Sequence, residues 1–226
     1  MSAERWSAVD RYIAEHLVAP DSALDAALGA SAAAGLPQIA VSPPQGKLLQ
    51  LLAQIHGART ILELGTLGGY STIWLARALP PDGRLVTMEA ERSYAEVAQA
   101  NIARAGLGDM VELRVGPALE TLPELAAENP DPFDMVFIDA DKKSTPEYFT
   151  WALRLCRPGS LIIVDNVIRD GALIDGDSDD PSVQGNRRFH ELLAAEDLGA
   201  KRVSATTIQT VGSKGYDGFT LALVLA

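Results

Sequence analysis

The chain has 226 residues, 47% of them hydrophobic and 22% charged, and 30 acidic side chains against 19 basic ones leave a formal net charge of −11. That length suits one domain burying roughly 70–75% of its unfolded surface, and so acidic a surface repels phosphate backbones, which argues against nucleic acids and anionic membranes as partners. No stretch approaches the ~20 apolar residues of a membrane span, the opening Met1-Ser2-Ala3-Glu4-Arg5-Trp6 has no apolar signal core, and a lone cysteine, Cys156, excludes an internal disulfide. The expected setting is the cytoplasm.

Residues 1–57 are expected to form helices that cap a core over 58–226, the whole being one domain. The Ala-rich stretch from Asp21 to Ala34 reads as a helix with Asp21 or Ser22 as its N-cap. A second helix starts after Ser42-Pro43-Pro44, where proline suits a first turn, and runs through Lys47 to His56. From Thr60 onward, short apolar, β-branched runs alternate with helical patterns at Ser71–Leu79, Tyr94–Ala105 and Pro146–Leu155. The runs are Thr60–Glu63, Leu85–Glu89, Val111–Val115, Met135–Asp139 and Leu161–Asn166, with Gly83, Gly106 and Pro158-Gly159 as punctuation. Cys156 is expected to pack on the face of the third of those helices. A helix around Arg187–Ala195 precedes two strands, Arg202–Thr210 and Phe219–Leu225, joined by a turn holding Gly212, Gly215 and Gly218. The alternation predicts an α/β fold: a Rossmann-like, doubly wound, mostly parallel sheet with a C-terminal antiparallel hairpin and an N-terminal helical cap.

Four of the runs end in acids: Glu63, Glu89, Asp139 and Asp165, the last followed by Asn166. Ligands of open parallel sheets bind outside the carboxyl ends of the strands, so these residues are expected along one functional edge. Glu63-Leu64-Gly65-Thr66-Leu67-Gly68-Gly69-Tyr70-Ser71 follows the first strand and opens a helix, yet its Gly-x-x-Gly-Gly spacing is not the Gly-x-Gly-x-x-Gly of a pyrophosphate site. A carboxylate at Glu63 would repel a diphosphate and suits the amino group of an amino-acid-like cofactor. Glu89 is placed to accept hydrogen bonds from ribose hydroxyls. Together they point to S-adenosylmethionine rather than NAD. Asp139, Asp165 and Asn166 form an all-oxygen ligand set for Mg²⁺, with Mn²⁺ or Ca²⁺ as alternatives. The dispersed His16, His56 and His190 offer no zinc site. Beside such a cation, Lys142 is expected to act as a general base. Asp175-Gly176-Asp177-Ser178-Asp179-Asp180 begins like an EF-hand, but Asp180 stands where glycine is needed and Asn186 where glutamate is. The acidic segment from Asp170 to Asp180 is expected to be a mobile, solvated lid.

These residues resemble the small, cation-dependent O-methyltransferases, the group containing the catechol and caffeoyl-CoA enzymes. The resemblance spans roughly residues 38–226. Glu63-Leu64-Gly65-Thr66 with Gly68, Tyr70 and Ser71 carries it, as do Val115-Gly116-Pro117-Ala118-Leu119 and Phe137-Ile138-Asp139-Ala140-Asp141-Lys142. Val164-Asp165-Asn166-Val167 and Asp217-Gly218-Phe219-Thr220-Leu221-Ala222 complete it. It implies that Asp139, Asp165 and Asn166 hold the metal and that Lys142, with Asp139, is catalytic. It also implies that Val41, Glu63, Gly65, Thr66, Ser71, Glu89, Ala118 and Asp141 hold the cofactor; Val41 and Ala118 are assigned by resemblance alone. The reaction implied is in-line methyl transfer to a vicinal aromatic diol, by a homodimer acting on a small phenolic acceptor. Asp141 stands where the animal catechol enzyme carries tryptophan, and Arg169 is expected to face the acceptor and favour an anionic one such as a phenolic acid. The alternatives are O-methylation of a hydroxylated tRNA base, which the acidic balance disfavours, a nucleotide-dependent oxidoreductase, and a cofactor-binding protein without catalysis.

Overall fold

In a computed structural model that describes residues 2–128 and 130–226, three helices come first: α1 (Ala3–Leu17), α2 (Ser22–Ala33) and α3 (Pro43–His56). Asp21 is the cap of α2, its Oδ1 accepting from the N–H groups of Ala23 and Leu24. Ser42 caps α3, whose first turn takes both prolines. The sheet and its helices follow as β1 (Thr60–Leu64), α4 (Tyr70–Ala76), β2 (Arg84–Glu89), α5 (Arg92–Arg104), β3 (Val111–Val115), α6 (Ala118–Ala127), β4 (Phe133–Ile138), α7 (Thr145–Leu155), β5 (Cys156–Asp165), α8 (Pro181–Ala194), β6 (Val203–Gly212) and β7 (Gly215–Val224).

The strand order is β3-β2-β1-β4-β5-β7-β6, parallel from β3 to β5 and antiparallel at β7 and β6. Alternate residues of each inner strand point to opposite faces. Leu62, Leu64, Val136 and Ile138 meet Tyr148 and Phe149 of α7 and Phe189 of α8 on one side. Ile61, Met135 and Phe137 meet Leu49 of α3 and Ile73 and Trp74 of α4 on the other. Because both faces are covered, the inner strands are continuously apolar rather than alternating. β1 lies between β2 and β4, so successive crossovers leave it in opposite directions. The crevice of a doubly wound sheet opens at that switch point, above the carboxyl ends of its strands.

Three expectations need correction. A helix, α6, stands at Ala118–Ala127, where none was expected; Pro123 inside it conceals its periodicity. α8 begins at Pro181, six residues before the expected start, because the Asp180 side chain caps it by accepting from Ser182 N–H. The acidic segment before it is largely solvent-facing, as expected, and is tied down by α8. Arg187 donates to the Leu173 carbonyl at 2.8 Å, and Gln184 to the carbonyls of Gly176 and Ser178. Lastly, the hairpin turns at Ser213-Lys214 alone, and Gly218 lies inside β7. A Cβ at Gly218 would stand 2.3 Å from the Ile208 carbonyl oxygen, so this glycine lets β6 and β7 approach rather than ending the strand. Cys156 packs against the core as expected, though as the first residue of β5 rather than on α7. Among the described residues, no helix is long and apolar enough to cross a membrane.

Candidate active site

A cavity of about 800 Å³ sits over the carboxyl ends of β1, β2 and β4, within the range of small-molecule sites. The glycine loop forms its floor. Gly65 has φ +98° and donates to the Met88 carbonyl at 3.0 Å. A Cβ there would lie 2.4 Å from the Asp139 carbonyl oxygen, so only glycine lets the ends of β1 and β4 come together. Leu67 is held at φ +50°, its N–H donating to Glu89 Oε2 at 2.7 Å, while Glu91 N–H donates to Oε1 at 2.9 Å. Glu89 is thereby fixed with both carboxylate oxygens at the cavity wall, each retaining a lone pair for a ligand hydroxyl.

Of the expected cofactor residues, Val41, Gly65, Thr66, Ser71, Glu89, Ala118 and Asp141 all line this cavity. Glu63 is placed differently. It lies one residue back from the end of β1, is 0% exposed, and is not among the lining residues. Its carboxylate accepts from Ser71 Oγ at 2.6 Å, from Thr87 Oγ1 at 2.7 Å and from Thr72 Oγ1. Because Thr87 spends its proton on Glu63, Thr66 donates to Thr87 at 2.6 Å. Glu63 thus reaches the cavity through Ser71 and Thr66, whose hydroxyls it orients.

Burial pushes the Glu63 carboxyl up to about 7, against the three hydroxyl donors, which lower it. An acid whose folded pKa lies above its unfolded value contributes stability fully below the ordinary carboxylate range and loses it as pH rises through about 7. At roughly 1.4 kcal/mol per pH unit, the loss at this residue is a few kcal/mol. Glu63→Gln is therefore expected to flatten the fall in urea-unfolding midpoint between about pH 5 and pH 8. A slope equal to wild type would show that Glu63 is ionised throughout.

The other end of the cavity is built by β4, β5 and the turn after β4. Asp139 follows β4, and its Oδ1 accepts from Lys142 Nζ at 2.6 Å, the two side chains being 21% and 11% exposed. Asp165 ends β5, is 4% exposed, and lies just behind the wall. Its Oδ2 accepts from Gln45 of α3 at 2.6 Å, its Oδ1 from Asn166 N–H at 2.9 Å. Burial first, then the neighbouring Asp139 carboxylate, push the Asp165 carboxyl up to about 7. Asn166 lines the cavity in a left-handed conformation, φ +55°, with its backbone carbonyl accepting from Asn186 of α8 at 2.8 Å. Two crowded carboxylates and an amide at adjacent strand ends are short of positive charge, and their donor chemistry fits a hard divalent cation. Among the described residues no group of three or more His, Cys, Asp or Glu converges as metal ligands, so any cation here would rest on two carboxylates and the Asn166 amide. Asp141 turns its carboxylate to the cavity, where it accepts from Ser144 at 2.8 Å and from the Tyr148 hydroxyl.

Four contributors escaped the sequence reading: Gln45, Tyr148, Asn186 and Lys214. Gln45 is 120 residues from its partner, and no local pattern marks it. Tyr148 stands seven residues beyond Asp141, two helical turns into the segment that opens α7, a spacing that had a signal.

The sequence profile described as O-methyltransferase matches residues 17–224. The chain is 55% identical over 224 residues to the catechol O-methyltransferase of Niastella koreensis, covering 99% of this chain and all of that one. It is 58% identical, with a TM-score of 0.96, to the O-methyltransferase of Bacillus cereus solved in complex with SAH, over 99% and 100% of the two chains. It is 59% identical, with a TM-score of 0.95 and complete mutual coverage, to TomG of Streptomyces achromogenes, an O-methyltransferase of tomaymycin synthesis solved with SAM. With a glycine loop, a fixed acid at the second strand and an acid–lysine pair at the fourth in one crevice, this chain belongs to the O-methyltransferase family.

Proposed function

We propose that the protein transfers a methyl group from S-adenosylmethionine to a hydroxyl of a catechol-like phenolic small molecule, with a divalent cation, Mg²⁺ first, at Asp139, Asp165 and Asn166. The observation that carries this reading is that one cavity is lined both by Gly65, Thr66, Ser71 and Glu89 and by Asp139, Lys142 and Asn166. Relatives named catechol O-methyltransferase at 55% identity support it.

When bound, a divalent cation favours the ionised form of a chelated diol, as such ions do for water. S-adenosylmethionine, when bound, supplies the methyl group on a sulfonium sulfur. The chain's own residues do the rest. Glu89 receives ribose hydroxyls on lone pairs already aimed by Leu67 and Glu91. Ser71 and Thr66 meet the amino-acid portion with hydroxyls oriented by Glu63. Asp141, held by Ser144 and Tyr148, adds a fixed negative charge to the wall. Lys142, with Nζ in its neutral form, takes the proton from the attacking hydroxyl and is left as the ammonium that pairs with Asp139. Most of the acceleration then comes from positioning and charge complementarity.

The whole chain is proposed to act as one methyltransferase domain. It is proposed to work as a homodimer, because α3 turns Leu48, Leu51 and Ile55 to solvent, Ile55 at 81% exposure. A reducing cytoplasm suits the lone Cys156, whose thiol burial pushes up to about 12.

Methyl transfer from labelled S-adenosylmethionine to a catechol panel, with Mg²⁺ and with excess EDTA, tests the reading. Transfer that EDTA abolishes and Mg²⁺ restores is expected. EDTA-insensitive transfer would remove the metal from the site, and transfer to tRNA but to no catechol would replace the acceptor.

A further inference from the structure

Besides Lys142, two cations line the cavity in a protein whose net charge is −11: Arg169 and Lys214. Among the described residues neither forms an ion pair with a carboxylate. The acids that share the cavity already have donors. Glu89 holds two backbone N–H groups, Asp141 two hydroxyls and Asp139 the Lys142 ammonium.

Both cations are held where they stand. Arg169 and Asp170 adopt left-handed conformations, φ +56° and +54°, in a turn that Asp217 organises. One oxygen, Asp217 Oδ1, accepts from the N–H groups of Ile168 at 2.8 Å, Arg169 at 3.1 Å and Gly218 at 2.9 Å. Asp170 N–H then donates to the Tyr216 carbonyl at 3.1 Å, which ties the turn to β7 two residues from Lys214. Arg169 Nε is buried with no hydrogen-bond partner. Leaving a guanidinium nitrogen buried and unpaired is costly unless a ligand completes it.

Lys214 sits at the tip of the β6–β7 hairpin. Asp10 of α1 anchors that tip by accepting from Ser213 N–H at 2.7 Å and Ser213 Oγ at 2.9 Å. Lys214 Nζ donates to the Gln38 carbonyl at 2.9 Å, with two further protons to give. Burial lowers its pKa, and the Asp139 carboxylate acts against that. Lys214 lines the same cavity as Asp139.

We propose that Arg169 and Lys214 form a carboxylate-recognition pair on the acceptor side of the cavity, so that the preferred substrate is an aromatic diol carrying a carboxylate. The proposal rests on the O-methyltransferase reading above and names the substrate class of that same site. A guanidinium fork and an ammonium in a partly desolvated wall match a planar carboxylate in shape and charge. A neutral diol leaves Arg169 Nε without a partner and Lys214 Nζ with the Gln38 carbonyl alone.

The test compares 3,4-dihydroxybenzoate with catechol in wild type, Arg169→Met, Lys214→Met and the double variant, at saturating S-adenosylmethionine and Mg²⁺. Wild type is expected to prefer the acid. Each single change should lower the acid-to-catechol ratio of kcat/KM by about 10-fold, chiefly through KM for the acid, and the double change by about 100-fold. Arg169→Lys should restore part of the ratio. Calorimetric binding of both ligands to the Mg²⁺ enzyme gives the same comparison without turnover, so a chain that transfers no methyl group still reports on this pair. Equal ratios in all variants, or equal binding of acid and catechol by wild type, would overturn the proposal. So would a rise in KM for S-adenosylmethionine with both acceptors, which would assign the cations to the cofactor's own carboxylate.

Discussion

Lys142→Met is expected to lower kcat for methyl transfer by about 10²–10⁴-fold, the range of a lost general base, with KM for S-adenosylmethionine little changed. The Lys142 side chain is 11% exposed and bonded to Asp139 Oδ1 at 2.6 Å, so removing it has two effects. It deletes the proton acceptor and leaves one more uncompensated negative charge beside Asp165. Lys142→Arg separates them. Arginine keeps the positive charge and pairs with carboxylates, but its pKa above about 12 bars it from accepting a proton. If Lys142 works as a base, Lys142→Arg is as inactive as Lys142→Met while retaining more stability. If its charge alone matters, Lys142→Arg retains activity within a few-fold of wild type, and the proposed role fails.

Gly185→Ala is expected to act on the same lysine from behind. α8 crosses the 3₁₀ turn Lys142–Ser144 at Gly185, where an added Cβ would stand 2.2 Å from the Lys142 carbonyl oxygen and 2.6 Å from Lys143 Cα. Both contacts are backbone, so neither yields by rotating a side chain. Either α8 retreats, taking Asn186 from the Asn166 carbonyl, or the turn shifts and carries Lys142 away from Asp139. Displacements near 1 Å cost about 10²-fold in rate, and overpacking costs about 1–3 kcal/mol in stability. Activity and thermal unfolding should fall together. Gly29→Ala in α2 is the matched control, since a Cβ there meets nothing within 4 Å. There the helix gains, by roughly 0.5–1 kcal/mol. A Gly185→Ala enzyme as active and stable as wild type would mean the turn has a second arrangement of equal energy.

Lys142 and Gly185 differ in how far the sequence marks them. Lys142 was read from the order of residues: a strand-end acid, Asp139, with a lysine three positions on. Gly185 was unremarkable in sequence, one glycine in a polar helix, and only the crossing of α8 over a turn more than 40 residues upstream gives it a task. The same contrast runs through the site. Glu89, Asp139, Asp165 and Asn166 were legible because a parallel sheet covered on both faces is written as continuous apolar runs, and the residue ending each run marks the edge where ligands bind. The glycine loop was legible because positive φ and close backbone approach leave few alternatives to glycine.

Composition and local periodicity by themselves determined the fold class, the strands, most of the helices and the edge carrying the chemistry, because these follow from nearest-neighbour preferences and the period of burial. Only the tertiary structure decided that Glu63 turns away from the cavity into three hydroxyls, that Gln45 of α3 meets Asp165, and that the hairpin tip brings Lys214 over the crevice that Arg169 lines. Helix α6 belongs with these, since Pro123 obscures a pattern that packing of Leu122 and Leu125 restores. The physical reason is common to all four. Each depends on pairing or packing between separate elements, from the eight residues between Glu63 and Ser71 to the 120 between Gln45 and Asp165, and such contacts leave no period in the sequence to read.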